Sequence, residues 1–184
     1  SETVSPMCAV SRLVKAKDPE AVTVFIGPCV AKKQEAAEGR DGTADFVLTY
    51  GEIRAILKAK NVELQPEENQ EQQASVYGKR FANAGGVTKA VLRCMEEMGQ
   101  PTDKLQVMEC NGAADCKKAL MLLKMGRLPA DFIEGMACEG GCVGGPSSHM
   151  AIAGFQKERN AQIAQADDRG IHENLSHYDS VVMH

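Results

Sequence analysis

The sequence predicts an α/β fold: a mostly parallel sheet of about four strands with helices on both faces. Short β-rich apolar runs alternate with longer helical ones along the chain, the pattern of strand–helix–strand units. Cap and stop residues fall where that alternation needs them. The 184 residues hold no repeat, low-complexity tract or clean linker, so one compact domain is expected.

Ser5 as cap and Pro6 at the first helical position open a helix over "VSPMCAVSRLVKAKD". "AVTVFIG" (21–27) reads as a strand of the fully buried kind, and "VAKKQEAAEG" (30–39) as a helix closed by Gly39. "ADFVLTY" (44–50) is a second strand and "GEIRAILKAKN" (51–61) a second helix of the alternation. Residues 62–80 are polar and Gln/Glu-rich without periodicity, which predicts a long surface excursion. A Gly pair introduces the helix "AGGVTKAVLRCMEEMG" (84–99). "DKLQVMEC" (103–110) is a third strand, and "AADCKKALMLLKMGRL" (113–128) a strongly amphipathic helix. "ADFIEGMAC" (130–138) is a fourth strand running into a glycine loop. "HMAIAGFQKERNAQIAQADD" (149–168) predicts a long helix, with a further one in "HENLSHYDSVVMH" (172–184).

The net charge of −4, with no concentrated Lys/Arg stripe, argues against nucleic acid or an anionic membrane as partner. No apolar run approaches the length of a membrane span. The start lacks the pattern of a signal peptide and an initiator Met, so a chain cut from a longer one is expected. Seven cysteines, an odd count at irregular spacing, argue against a disulfide framework. A reducing cytoplasm with some cysteines as ligands fits best.

The chemistry concentrates in two stretches. In "FIEGMACEGGCVGGP" (132–146), Cys138 and Cys142 stand in a glycine loop after an apolar strand. In "GPCVAKKQE" (27–35), Cys29 follows a strand in the same way. Ligands in such sheets bind where strands end, so Cys29, Cys138 and Cys142 are expected to converge. Three thiolates are one short of the usual set for either zinc or an iron–sulfur cluster. Cys8, Cys94 and Cys116, inside helical patterns, read as small buried hydrophobes, and Cys110 as the same or an accessory ligand. Lys32, near a helix start, can donate to an anionic ligand or cluster, or with Lys33 be an ordinary surface charge. His149 is a candidate ligand or proton carrier; His172, His177 and His184 read as solvent-facing.

Taken together, "SPM" (5–7), "IGPCVAKKQEA" (26–36) and "EGMACEGGCVGGP" (134–146) resemble the [FeFe]-hydrogenases. They look like that family's motifs P-C-x-x-K-x-x-E and M-A-C-x-x-G-C-x-x-G. The intervening "ADFVLTYGEIRAILK" and "FANAGGVTKAV" and the late "IHENLSHYDSV" are similar too. The resemblance implies an H-cluster: a [4Fe–4S] cube joined through a cysteine to a two-iron subcluster bearing CO, cyanide and a dithiolate. Cys29 and Cys138 then match cube ligands, and Cys142 the bridging thiolate. Lys32 matches a lysine that hydrogen-bonds a cyanide. Pro28 and Met136 match residues packing on the two-iron centre, and Ser5, Pro6 and Met7 line its pocket. Ser1 matches a proton-relay serine.

The family's T-S-C-C-P motif, with the fourth cube cysteine, lies just upstream of S-P. The resemblance therefore implies that residues 1–184 are the C-terminal lobe of a larger catalytic domain, inactive alone. Its partners would be the missing N-terminal lobe, a ferredoxin-like electron relay and the maturation proteins that install the two-iron unit. Three positions depart from the family: Gly27 in place of Met, Met7 in place of Gln, and "GGPSSH" after Cys142 in place of G-G-G-x-P. These departures resemble the divergent, hydrogen-sensing branches. A [4Fe–4S] scaffold protein without hydrogenase activity is the third reading.

Overall fold

Ser5 and Pro6 start the first helix as their order predicts. The structure is a computed structural model that describes residues 3–39, 42–65 and 74–176, and α1 spans Pro6–Lys17. The Ser5 hydroxyl accepts from the Cys8 N–H at 3.3 Å, and Pro6 sits where no helical N–H is needed. β1 (Val24–Gly27) pairs in parallel with β2 (Phe46–Thr49), Gly27 opposite Thr49. Parallel strands need a crossover, and α2 (Ala31–Ala37) lies within it; Gly39, at φ 64°, follows its end. α3 (Tyr50–Ala59) leaves β2 through a capping box, in which Thr49 and Glu52 each satisfy the other's backbone N–H.

These elements and residues 146–149 form one compact unit; residues 74–145 and 150–176 form a second. In the first unit Met7, Cys8 and Ala44 are the buried apolar side chains. Asp45 accepts from Lys15 Nζ at 2.7 Å and from Thr23 N–H at 2.7 Å, which holds its carboxyl down at about 2.

The second unit begins with α4 (Val76–Arg80), inside the stretch expected to be an irregular excursion. That expectation is corrected for residues 76–80; residues 66–73 of the excursion lie outside the described residues. Tertiary bonds explain the difference, since periodicity is absent. The Val76 N–H donates to Asp167 O at 2.8 Å, and the Arg159 guanidinium donates to Lys79 O at 2.5 Å.

α5 (Gly86–Glu97), β3 (Val107–Asn111), α6 (Ala113–Lys124) and β4 (Phe132–Met136) follow. β3 and β4 are parallel, with Cys110 opposite Gly135 and Glu109 opposite Glu134. After a 3-10 turn at Cys142–Gly144 come α7 (Ile152–Ala164) and α8 (Ile171–Leu175). Among the described residues, no helix is long and apolar enough to cross a membrane.

The four expected strands are thus all present and their pairings parallel. Among the described residues, hydrogen bonds join them as two parallel pairs, β1 with β2 and β3 with β4. α6 departs from the strong amphipathicity expected of it. Only Ala119 is fully buried, with Cys116 and Leu122 partly so, while Leu120, Met121 and Leu123 are more than half exposed. Its apolar residues run consecutively from 119 to 123, so a helix turns several of them outward.

α8 is fixed by one carboxylate. Glu97, 14% exposed, accepts from the N–H groups of Ile171 (2.8 Å) and His172 (2.9 Å) and from Arg93 Nε (2.7 Å). It also bonds His172 Nδ1 at 2.8 Å, so the solvent-facing His172 is held at Glu97. The His172 N–H, with these other donors, lowers the Glu97 carboxyl from 4.5 to about 2. A folded value below the unfolded one stabilises above the unfolded value and is lost as pH falls toward the folded one. The clamp therefore weakens from about 4.5 down to about 2. Glu97→Gln is expected to speed amide exchange in residues 171–176 at neutral pH, read by hydrogen-exchange mass spectrometry. It is also expected to flatten the acid dependence of that exchange; an unchanged profile would remove Glu97 as the clamp.

Candidate metal centre

Each cysteine of the predicted site stands just past the carboxyl end of a parallel strand. In the first unit, Gly27 ends β1, Pro28 turns the chain, and half-buried Cys29 precedes α2. Ser147 N–H donates to Pro28 O at 3.1 Å and ties residues 146–149 to this turn. A Cβ on Gly27 would lie 2.9 Å from the end of the Phe25 ring, which would have to shift.

Lys32, in the first turn of α2, forms an ion pair with Glu35 one turn on. The other Glu35 oxygen accepts from the Ser5 hydroxyl. Ser5 thus caps α1 and joins it to Lys32 through Glu35. Lys33 pairs instead with Glu52 at 2.5 Å and belongs to the outer surface. Pro6 is exposed and Met7 is buried at 5%. Ser1 lies outside the described residues. His149 packs against Gly51, 3.6 Å from where a Cβ would stand, in an open groove of about 570 Å³ with Arg54, Leu57 and Leu64.

In the second unit, β4 delivers Met136, then half-buried Cys138 and exposed Cys142. The loop between them is held by its backbone. Gly140 N–H donates to Asn111 Oδ1 at 2.7 Å, Gly141 N–H to Cys138 O at 3.0 Å, and Cys142 N–H to Ala82 O at 2.7 Å. Gly141 takes φ 82° and passes so near Ala82 that a Cβ would lie 2.4 Å from its carbonyl oxygen.

Below this loop lies Glu134, 4% exposed, inside β4. Its Oε1 accepts from Gly85 N–H at 2.9 Å; its Oε2 accepts from Thr88 N–H at 2.8 Å and Thr88 Oγ1 at 2.6 Å. The first residues of α5 have no side-chain cap of their own, and Glu134 supplies one from the strand.

The described family "Iron only hydrogenase large subunit, C-terminal domain" matches residues 1–146. The chain belongs to this family. It is 27% identical over 199 residues to the NADP-reducing hydrogenase subunit HndD of Solidesulfovibrio fructosivorans, covering 88% of this chain and 34% of that protein. It is 25% identical over 207 residues to iron hydrogenase 1 of Clostridium pasteurianum, covering 90% of this chain and 36% of that one. The chain therefore spans about a third of the curated relatives it matches. Its fold is similar to that of HydA(deltaEFG), a structure reported for stepwise [FeFe]-hydrogenase H-cluster assembly. That match has TM-score 0.67 at 21% identity and covers 96% of this chain and 63% of the other. A variant of HydA1 from Chlamydomonas reinhardtii matches with TM-score 0.63 at 20% identity, over 94% and 61% of the two chains.

The donor set in this iron-only hydrogenase domain suits an iron–sulfur cluster. Cys29, Cys138 and Cys142 are in no disulfide and are more exposed than Cys8 or Cys110, and thiolates are the ligands such clusters use. Cys29 belongs to the first unit and the other two to the second. Among the described residues, no group of three His, Cys, Asp or Glu side chains makes a metal site by itself.

Sequence reading missed two supporting acids. Glu35 is the last residue of the P-C-x-x-K-x-x-E match, and Glu134 is the lone acid within the apolar "FIEGM". Glu134→Ala strands three buried donors and is expected to cost about 3 kcal/mol of unfolding free energy, and Glu134→Gln about half of that. Denaturant unfolding measures both; equal stability of Glu134→Ala and the parent would contradict the cap.

Proposed function

We propose that this chain is the C-terminal lobe of the H-cluster domain of a longer [FeFe]-hydrogenase, which interconverts H2 with protons and electrons. The observation that carries the reading is positional. The family match spans both cysteine motifs, and both sit where parallel strands end.

In this proposal Cys29 and Cys138 hold a [4Fe–4S] cube, and Cys142 bridges it to a two-iron subcluster. A missing N-terminal lobe supplies the fourth cysteine. When bound, such a cluster supplies the electron transfer and the H2 chemistry, and the chain's residues bind and tune it. Lys32 presents its ammonium to an anionic ligand of the two-iron centre. Glu35 accepts from Lys32 and from Ser5, so it fixes the direction of the amine. Pro28, Met136, Pro6 and Met7 provide apolar contact, and Ser1 a hydroxyl for proton transfer. Electrons would come from a ferredoxin-like relay, and the two-iron unit from maturation proteins.

The full parent protein, matured anaerobically with the two-iron cofactor, tests this. CO and cyanide infrared bands with rapid H2 evolution are expected, while iron without bands would leave only a [4Fe–4S] scaffold. Glu35→Gln is expected to lower H2 evolution roughly 10–100-fold and to shift the cyanide bands. Unchanged bands would detach Glu35 from the cluster.

A second reading, a hydrogen sensor with slow turnover, rests on Gly27, which has no side chain where the family has Met. Gly27→Met in the matured parent is expected to raise a slow turnover if the missing contact limits it. No change in rate would count against that reading.

A further inference from the structure

Two cysteines outside the cluster motifs lie together in the second unit. Cys110 is on β3 and Cys116 in the first two turns of α6, whose Cys116 N–H donates to Gly112 O at 3.2 Å. Cys110 is opposite Gly135 in the parallel ladder, and register partners present their side chains to the same face. A Cβ on Gly135 would stand 3.5 Å from Cys116 Sγ. The Cys116 sulfur therefore lies over the strand position next to Cys110. The opposite face of the same two strands carries Glu109 and Glu134, both directed at Gly85, while α6 packs on the face that carries the dithiol.

We propose that Cys110 and Cys116 form a reversible dithiol–disulfide pair, oxidised by low-molecular-weight disulfides such as oxidised glutathione. The two sulfurs differ in access. Cys110 is 2% exposed, whereas Cys116 is partly exposed beside a glycine with no side chain to shield it. Burial, and then the neighbouring Cys116 and Asp115, push the Cys110 thiol up, so it is the poorer first nucleophile.

Cys116 thus attacks one sulfur of the oxidant, forms a mixed disulfide and expels one thiolate. Cys110 then attacks the Cys116 sulfur, closes the protein disulfide and releases the second. The protein gives up two electrons and two protons, and the oxidant is reduced to two thiols. Two thiols alone fall short of a zinc site, which leaves redox chemistry as what this pair can do.

The test treats the reduced full chain with oxidised glutathione and quenches it with N-ethylmaleimide in denaturant, so that burial shields no thiol. Trypsin cutting after Lys104 and Lys117 releases residues 105–117, which contain both cysteines and no other. The expected result is a peptide two hydrogens lighter, with loss of both maleimide labels, and dithiothreitol should restore both labels. In Cys110→Ser the second step is blocked, and glutathione is expected to remain on Cys116. Two labels on the wild-type peptide after oxidation would overturn the proposal. So would persistent glutathione on wild-type Cys116, or a disulfide linking Cys110 to another cysteine. Cys29, Cys138 and Cys142 take no part, so the outcome is independent of the cluster.

Discussion

One buried carboxylate orders the second unit. Glu134 enters β4 among apolar neighbours, where an unpaired charge would be costly, and is satisfied by three donors at the start of α5. The same turn, at Ala82, accepts the Cys142 N–H. A strand, a helix start and the cysteine loop are therefore set by one group of bonds. The loop keeps its shape through backbone contacts and leaves its thiols at the rim.

The first unit uses a lighter version of the same device. Glu35 joins the cap of α1 to the ammonium of Lys32, so two helices fix one cation. The bonds lie in a partly exposed setting, Lys32 and Glu35 each being 24% exposed. Their value is positional, since such pairs add little to stability.

Much of this was legible in the sequence because it is local. Ser5 with Pro6, the Gly39 stop and the runs around Ile26, Leu48, Met108 and Ile133 each announce their element within a few residues. Cys29, Cys138 and Cys142 stand out because glycine or proline precedes or surrounds them at a strand end. What was not legible depends on partners distant in the chain. α4 is held by Asp167 and Arg159, and Glu134 by a turn nearly fifty residues earlier. Cys116 reads as a helix hydrophobe until β3 and β4 pair beneath it. The division of four strands into two ladders is likewise a property of pairing and not of pattern.

The glycines beside the cysteines are not equivalent, and this bears on how the domain can evolve. At Gly141 any side chain meets a fixed carbonyl oxygen, on a backbone already in the left-handed region. Drift there is closed. At Gly27 a new side chain meets the end of a phenylalanine side chain and not fixed backbone. Selection can therefore vary the residue ahead of Pro28 and Cys29 while the loop around Cys142 stays fixed, so that lineages can diverge in tuning without rebuilding the site.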